Sequence, residues 1–219
     1  MSPLRSLPPL PAVVAVVAVL TVPTVLTAQG SAAGQSGRRT LLPRDREISL
    51  ARSAAPAGVS DSATVLVLTD RGYEIAARGT NGVSCIVSRS WVASLEPVCY
   101  DEEAAQTVMQ MELRRVHLLH QGVSKDSVER DIALGLAEGR FRLPRRPAMS
   151  YMMSGAQQLI SDDGRAVGRW QPHLMIYYPY LSGRDIGAMA PDPSAVMIVD
   201  EGKPNSMMMI VVRSFVEPR

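Results

Sequence analysis

The hydrophobic period of this chain changes twice along its length, and that succession of periods constrains the fold more than any single motif. Over residues 64–69 (TVLVLT), 73–78 (YEIAAR) and 83–88 (VSCIVS), apolar and polar side chains alternate as in strands with one buried face. Asp70-Arg71-Gly72 separates the first two runs. Asn81-Gly82 separates the second and third, and both of its residues tolerate the positive φ of a tight hairpin. The spacing predicts a three-stranded meander. From residue 101 to about 120 the period becomes helical, with Ala105, Met109, Val116 and Leu119 on one side. Asp101 is the N-cap, Glu102 and Glu103 occupy the first turn, and Gly122 is the stop. Ser124 caps a second helix reaching about residue 138, with Val128, Ile132 and Leu136 at four-residue steps before Gly139. Alternation then returns at 148–154, 173–178, 195–200 and 207–214, the last two joined by the turn EGKPN. A weaker helix, 44–55, precedes the first strand. Strands, two helices, then further strands with hairpin-length links predict an α+β fold on a largely antiparallel sheet, in a single domain.

Ahead of this pattern, residues 12–26 (AVVAVVAVLTVPTVL) form an apolar run behind Arg5 and before small residues, the pattern of a secretory signal. The run is shorter than the roughly 20 residues of a transmembrane helix, and Pro23 interrupts it. Residues 1–28 are therefore expected to be a signal peptide, with a second possible exit after Ala33. Residues 29–42, rich in Gly, Ser, Ala and Gln over their first part, are expected to be a flexible linker, and 43–219 the domain. No cysteine lies near either exit, so membrane contact is expected only through the signal peptide before cleavage, with the mature chain periplasmic or extracellular.

The two cysteines, Cys85 and Cys99, both fall in the exported part, where a disulfide persists. Closing a loop of that length contributes about 3 kcal/mol in the chain-entropy model, and the spacing is not that of a CxxC redox site. With 23 Lys plus Arg against 21 Asp plus Glu, the chain is close to neutral. Nucleic acid is therefore not expected as a partner. The one dense basic cluster is Arg140, Arg142, Arg145 and Arg146 in GRFRLPRRP, read as cations at a helix C-terminus followed by a proline-restricted connector.

Candidate chemistry is sparse. His117 and His120 belong to HLLH, which lacks the glutamate of the HExxH zinc motif. No GxSxG, P-loop or GxGxxG occurs, and Asp162-Asp163-Gly164 reads as a hairpin turn. His173 is the more informative histidine: in HLMIYY it shares a strand face with Met175 and Tyr177, and Tyr151 is expected nearby if the strands pair. Nine of the 12 methionines lie at or after Met149. Thioethers with an imidazole suit Cu(I) or a haem axial site, but their position inside strands favours adaptable core filling. No cofactor is predicted. These residues predict an exported, non-catalytic binding or interaction module for an envelope protein or a small apolar ligand. The alternative is a metalloprotein or enzyme with its site around His173, so whether the chain is an enzyme stays open.

Three stretches, residues 80–85 (TNGVSC), 148–154 (AMSYMMS) and 170–175 (WQPHLM), together resemble a family of exported bacterial proteins without an assigned activity. The resemblance spans most of the mature chain. It implies export and a single domain, and it carries no catalytic residue or cofactor. Members look richer in histidine around the tryptophan, where Arg169 and Gln171 stand here.

Overall fold

A computed structural model describes residues 37–187 and 196–219. The expected signal peptide, the first part of the linker and the start of the 195–200 strand lie outside the described residues. The sheet has eight strands in the order β2-β1-β3-β4-β5-β8-β10-β9. Its strands are β1 (Thr64–Thr69), β2 (Gly72–Ala77), β3 (Ser84–Ser88), β4 (Glu96–Tyr100), β5 (Ala148–Met152), β8 (His173–Tyr177), β9 (Met197–Val199) and β10 (Met207–Val211). A separate hairpin pairs β6 (Leu159–Ile160) with β7 (Ala166–Gly168), and Asp162-Asp163-Gly164 forms its turn, Gly164 at φ 81°. The helices are α1 (Arg44–Arg52), α2 (Ala57–Ser60), α3 (Glu102–Gln106), α4 (Val108–His120) and α5 (Lys125–Ala137). Every sheet pairing is antiparallel except β1 with β3, so the fold is α+β on a largely antiparallel sheet. No described helix is long and apolar enough to cross a membrane.

The predicted meander is corrected. β1 and β2 form the expected hairpin, but β3 lies on the other side of β1 and runs parallel to it, Val65 opposite Cys85. After β2 the chain passes against the entry to β1, where the Thr80 N–H donates to Ser62 O and the Thr64 N–H to Val83 O. Asn81 serves this crossing instead of a hairpin: its side chain donates to Val59 O and accepts the Val83 N–H, with Gly82 at φ 78°. The antiparallel partner of β3 is β4, a strand absent from the sequence reading. All five of its residues are buried, so it shows no alternation.

The sheet carries helices on both faces. On one, Leu50, Ala51, Ala54 and Ala55 from α1 and the turn after it pack on Val65, Cys85, Val87 and Cys99. On the other, Ala104, Ala105, Val108, Met109, Met111 and Ile132 from α3, α4 and α5 cover Ile86, Val98, Tyr100, Met175 and Tyr177. The long predicted helix is broken at Thr107 (φ −125°, ψ −88°), whose hydroxyl donates to Glu103 O at 2.6 Å. Asp101 caps α3 and Ser124 caps α5 as the sequence predicts, accepting from Ala104 N and Ser127 N. Arg114 and Asp131 join α4 to α5 through two hydrogen bonds, at 2.9 and 3.1 Å.

Packing also begins before residue 43, a second correction. Arg39 is buried, its N–H donates to His120 Nδ1 at 3.0 Å, and the Thr40 N–H donates to Val92 O at 2.9 Å. The linker expected through residue 42 is thus fastened from about Gly37 onward. Composition did not reveal this, because Arg39 and Thr40 are held by polar bonds and only Leu42 by apolar contact.

Candidate functional site

Alternation along β8 sends His173, Met175 and Tyr177 to the face that α3, α4 and α5 cover, and pairing decides their neighbours. β5 sets Ala148, Ser150 and Met152 opposite Tyr177, Met175 and His173, while β10 sets Met207, Met209 and Val211 opposite the same three. Tyr177 and Ser150 share a hydrogen bond between hydroxyls at 2.9 Å, and burial pushes the Tyr177 phenol well up. Tyr151 pairs with Leu174 and belongs to the other face, packed with the cluster that holds Cys85 and Cys99. The structure therefore brings His173, Met175 and Tyr177 together and separates Tyr151 from them. Cys85 and Cys99 are directly opposed on β3 and β4 and bonded.

His173 is 2 % exposed. Its Nδ1 lies 2.6 Å from Gln171 O, a carbonyl that only accepts, so Nδ1 carries the proton and Nε2 the lone pair. Burial lowers its pKa and the bond to Gln171 opposes that shift, leaving it below the ordinary histidine value. The Trp170 ring meets the imidazole edge-on, centroids 6.5 Å apart and planes at 75°. Of the other histidines, His120 is buried on α4 and His117 lies against Gly72. Among the described residues no three of His, Cys, Asp and Glu gather as a cation site.

At the other end of the same sheet face lies a cavity of about 250 Å³ between α4, α5 and the β9–β10 turn, floored by Tyr100, Tyr177 and Met207. Tyr100 is 5 % exposed, and its hydroxyl has no hydrogen-bond partner among the described residues. Burial, reinforced by Tyr177 and Glu112, holds its pKa well above the phenol value. A charged wall stands beside it: Arg115 bonds Glu112 at 2.8 Å and Glu129 at 3.0 Å, and Ser88 donates to Glu112. Burial works against the Arg115 charge, but the two carboxylates outweigh it and its pKa is raised.

A wider groove of about 720 Å³ adjoins the cavity, sharing Ala133, Leu136 and Pro204 as walls. The residue type at 135 shapes it: a Cβ there would fall 2.5 Å from the Phe141 ring, so Gly135 is what lets that ring lie against α5. Leu143, Pro144 and Pro179 continue the apolar lining, and Tyr180, 60 % exposed, stands at the edge with a left-handed backbone (φ 64°). Backbone of this kind is strained for an aromatic residue. Arg142 and Arg145 also line the groove; neither makes a salt bridge among the described residues, but Glu103 lies close, accepting the Arg145 N–H at 2.9 Å and held below the usual carboxylate range by that bond, by Arg146 and in part by Arg142. Their neighbours are committed: Arg146 to Glu102 and Glu103, Arg140 to Glu138 and Asp131.

The sequence reading missed Tyr100, Glu112, Arg115 and the groove arginines as site residues. The one available signal was the GRFRLPRRP cluster, whose charges only the fold divides into paired and unpaired. No family model, no curated protein and no solved structure matches this chain.

Proposed function

We propose that this chain is an exported, non-catalytic binding module that holds a small amphipathic ligand, with an apolar body and an anionic end, in the groove beside α5. The observation that carries this reading is the pairing of an apolar lining, Phe141, Leu143, Leu136 and the prolines, with two arginines that make no salt bridge among the described residues, their nearest carboxylate, Glu103, being committed to Arg146. Pockets of a few hundred Å³, mostly apolar with a few convergent polar groups, are the usual form of small-ligand sites. Arginine suits a carboxylate or phosphate head because its planar fork donates two parallel hydrogen bonds. The strained Tyr180 at the rim supports a binding role for this edge. Export is supported by the apolar run at 12–26, and an oxidising compartment by the bonded Cys85–Cys99 pair.

Titration of the mature protein with myristate, followed by calorimetry, tests the reading. One-to-one saturable binding is expected, weakened at least tenfold by the double substitution Arg142→Ala, Arg145→Ala and abolished by Ala137→Trp, which fills the groove. Tetradecanol, with the same chain and no charge, should bind more weakly. Absence of saturable myristate binding by folded protein would sink the proposal.

A further inference from the structure

The sheet face that leads away from the groove carries a second, independent arrangement. Met152, His173 and Val211 form one cross-strand row; Ser150, Met175, Met209 and Met197 form the next. Directly opposed side chains on one face have Cβ atoms about 5 Å apart and diagonal ones about 7–8 Å. The flexible thioethers of Met152, Met175 and Met209 are therefore all within reach of a point above His173. The imidazole is prepared for such a role: Nδ1 is tied to Gln171 O, and Nε2 bears a lone pair with no protein partner among the described residues. A backbone carbonyl holding the far nitrogen is how ligating histidines are oriented.

Core filling explains this corner only in part. Met175 belongs to the packed core and Met152 packs against it, but Met209 is half-buried, Met197 is 37 % exposed and Val211 is 48 % exposed, so the rows open to solvent at their β10 and β9 end. The donors are also all neutral. A dication here would have no anionic ligand to offset its charge, whereas thioether and imidazole together select a soft monovalent ion. Cys85 and Cys99 are bonded to each other and lie on the opposite face, so no thiolate competes.

We infer that His173 Nε2 with the thioethers of Met152, Met175 and Met209 forms a binding site for a soft monovalent cation, Cu(I). The site stands apart from the groove and its ligand; neither needs the other.

Anaerobic transfer of Cu(I) from a chromophoric chelator to the full mature protein, with ascorbate as reductant and intact-mass confirmation that the disulfide survives, tests it. One equivalent is expected, with nitrogen and sulfur scattering in the X-ray absorption spectrum. In protein labelled with ¹³C at the methionine methyls, Met152, Met175 and Met209 should shift, while Met149 and Met208 on the opposite face stay put. Met209→Leu should weaken uptake at least tenfold and Met208→Leu should leave it unchanged. The methyl spectrum of the unmutated protein keeps the test decisive even where His173→Ala fails to fold. No uptake, equal loss in the two leucine variants, or shifts on the Met149 and Met208 face would overturn the assignment.

Discussion

The Glu47 carboxylate on α1 and the Arg89 guanidinium just beyond β3 meet at 2.9 Å, with both side chains wholly excluded from solvent. Oε2 and Nη2 are close without being aligned as a hydrogen bond, and their other atoms complete the attachment. Glu47 Oε1 accepts the Leu68 N–H at 2.9 Å, Arg89 Nε donates to Thr40 O at 2.8 Å, and Nη1 donates to Val87 O. One ion pair thus fastens α1, the entering chain, β1 and β3 together. Removing one partner leaves a buried charge with no counter-ion, so Glu47→Ala is expected to cost about 3–5 kcal/mol in urea unfolding. The double variant Glu47→Leu, Arg89→Met should recover a large part of that loss. Equal instability in single and double variants would show that the lost charge balance is not what matters.

Asp101 uses both carboxylate oxygens: Oδ1 accepts from Ala104 N and Oδ2 from Met149 N, each at 2.8 Å. The cap of α3 and the edge of β5 therefore share one side chain. Losing a cap costs about 1 kcal/mol and orphaning a buried amide about 1–3 kcal/mol, so Asp101→Ala should lose roughly 2–4 kcal/mol. Asp101→Asn, with one accepting oxygen, should fall between the two, as read by thermal unfolding.

A Cβ at Gly79 would lie 2.2 Å from Thr64 N and 2.3 Å from Ser62 O, both backbone atoms. Neither can yield without moving the entry to β1. Gly79→Ala is expected to destabilise by at least about 3 kcal/mol or to abolish soluble expression. Gly139→Ala is the comparison: its Cβ meets nothing, and only the left-handed φ of 75° costs, at about 1–2 kcal/mol. Similar effects from the two would contradict the close approach at Gly79.

His120 should make the fold sensitive to acid. Burial lowers its pKa, Arg38 and His117 lower it further, and Asp70, 3.9 Å from Nε2, opposes them. Nδ1 accepts the Arg39 N–H, so a proton added there displaces that bond. A histidine with a depressed folded pKa is protonated first in the unfolded chain. Its contribution is complete above the ordinary histidine pKa and is lost as pH falls through the folded value. Unfolding temperature should therefore drop between pH 7 and pH 5. His120→Gln, which keeps an acceptor for Arg39, should flatten that slope in part, with His173 supplying the rest. An unchanged slope would exclude His120 as a source.

Local signals were legible because they act over a few residues. Asp101 and Ser124 accept the first amides of their helices, and the four-residue step from Val128 to Ile132 marks the buried side of α5. The face shared by His173, Met175 and Tyr177 follows from strand alternation alone, and the turn at Asp162-Asp163-Gly164 from side chains that close tight loops. The sites were less legible. Arg142 and Arg145 differ from Arg140 and Arg146 only in which carboxylates come near them, and those carboxylates are distant in the chain or displaced by the connector's path.

By itself, then, the sequence determined most of the strands and helices, though neither β4 nor the break at Thr107, together with the capping residues and which side chains share a strand face, all consequences of backbone geometry repeated every two or 3.6 residues. Only the tertiary structure decided that β3 lies beside β1, that Tyr151 faces away from His173, and that Met152 and Met209 flank it. Alternation names a side chain's face but not the strand next to it, and that choice is made by long-range pairing, by the close passage of Gly79 under Thr64, and by the buried charges of Glu47 and Arg89.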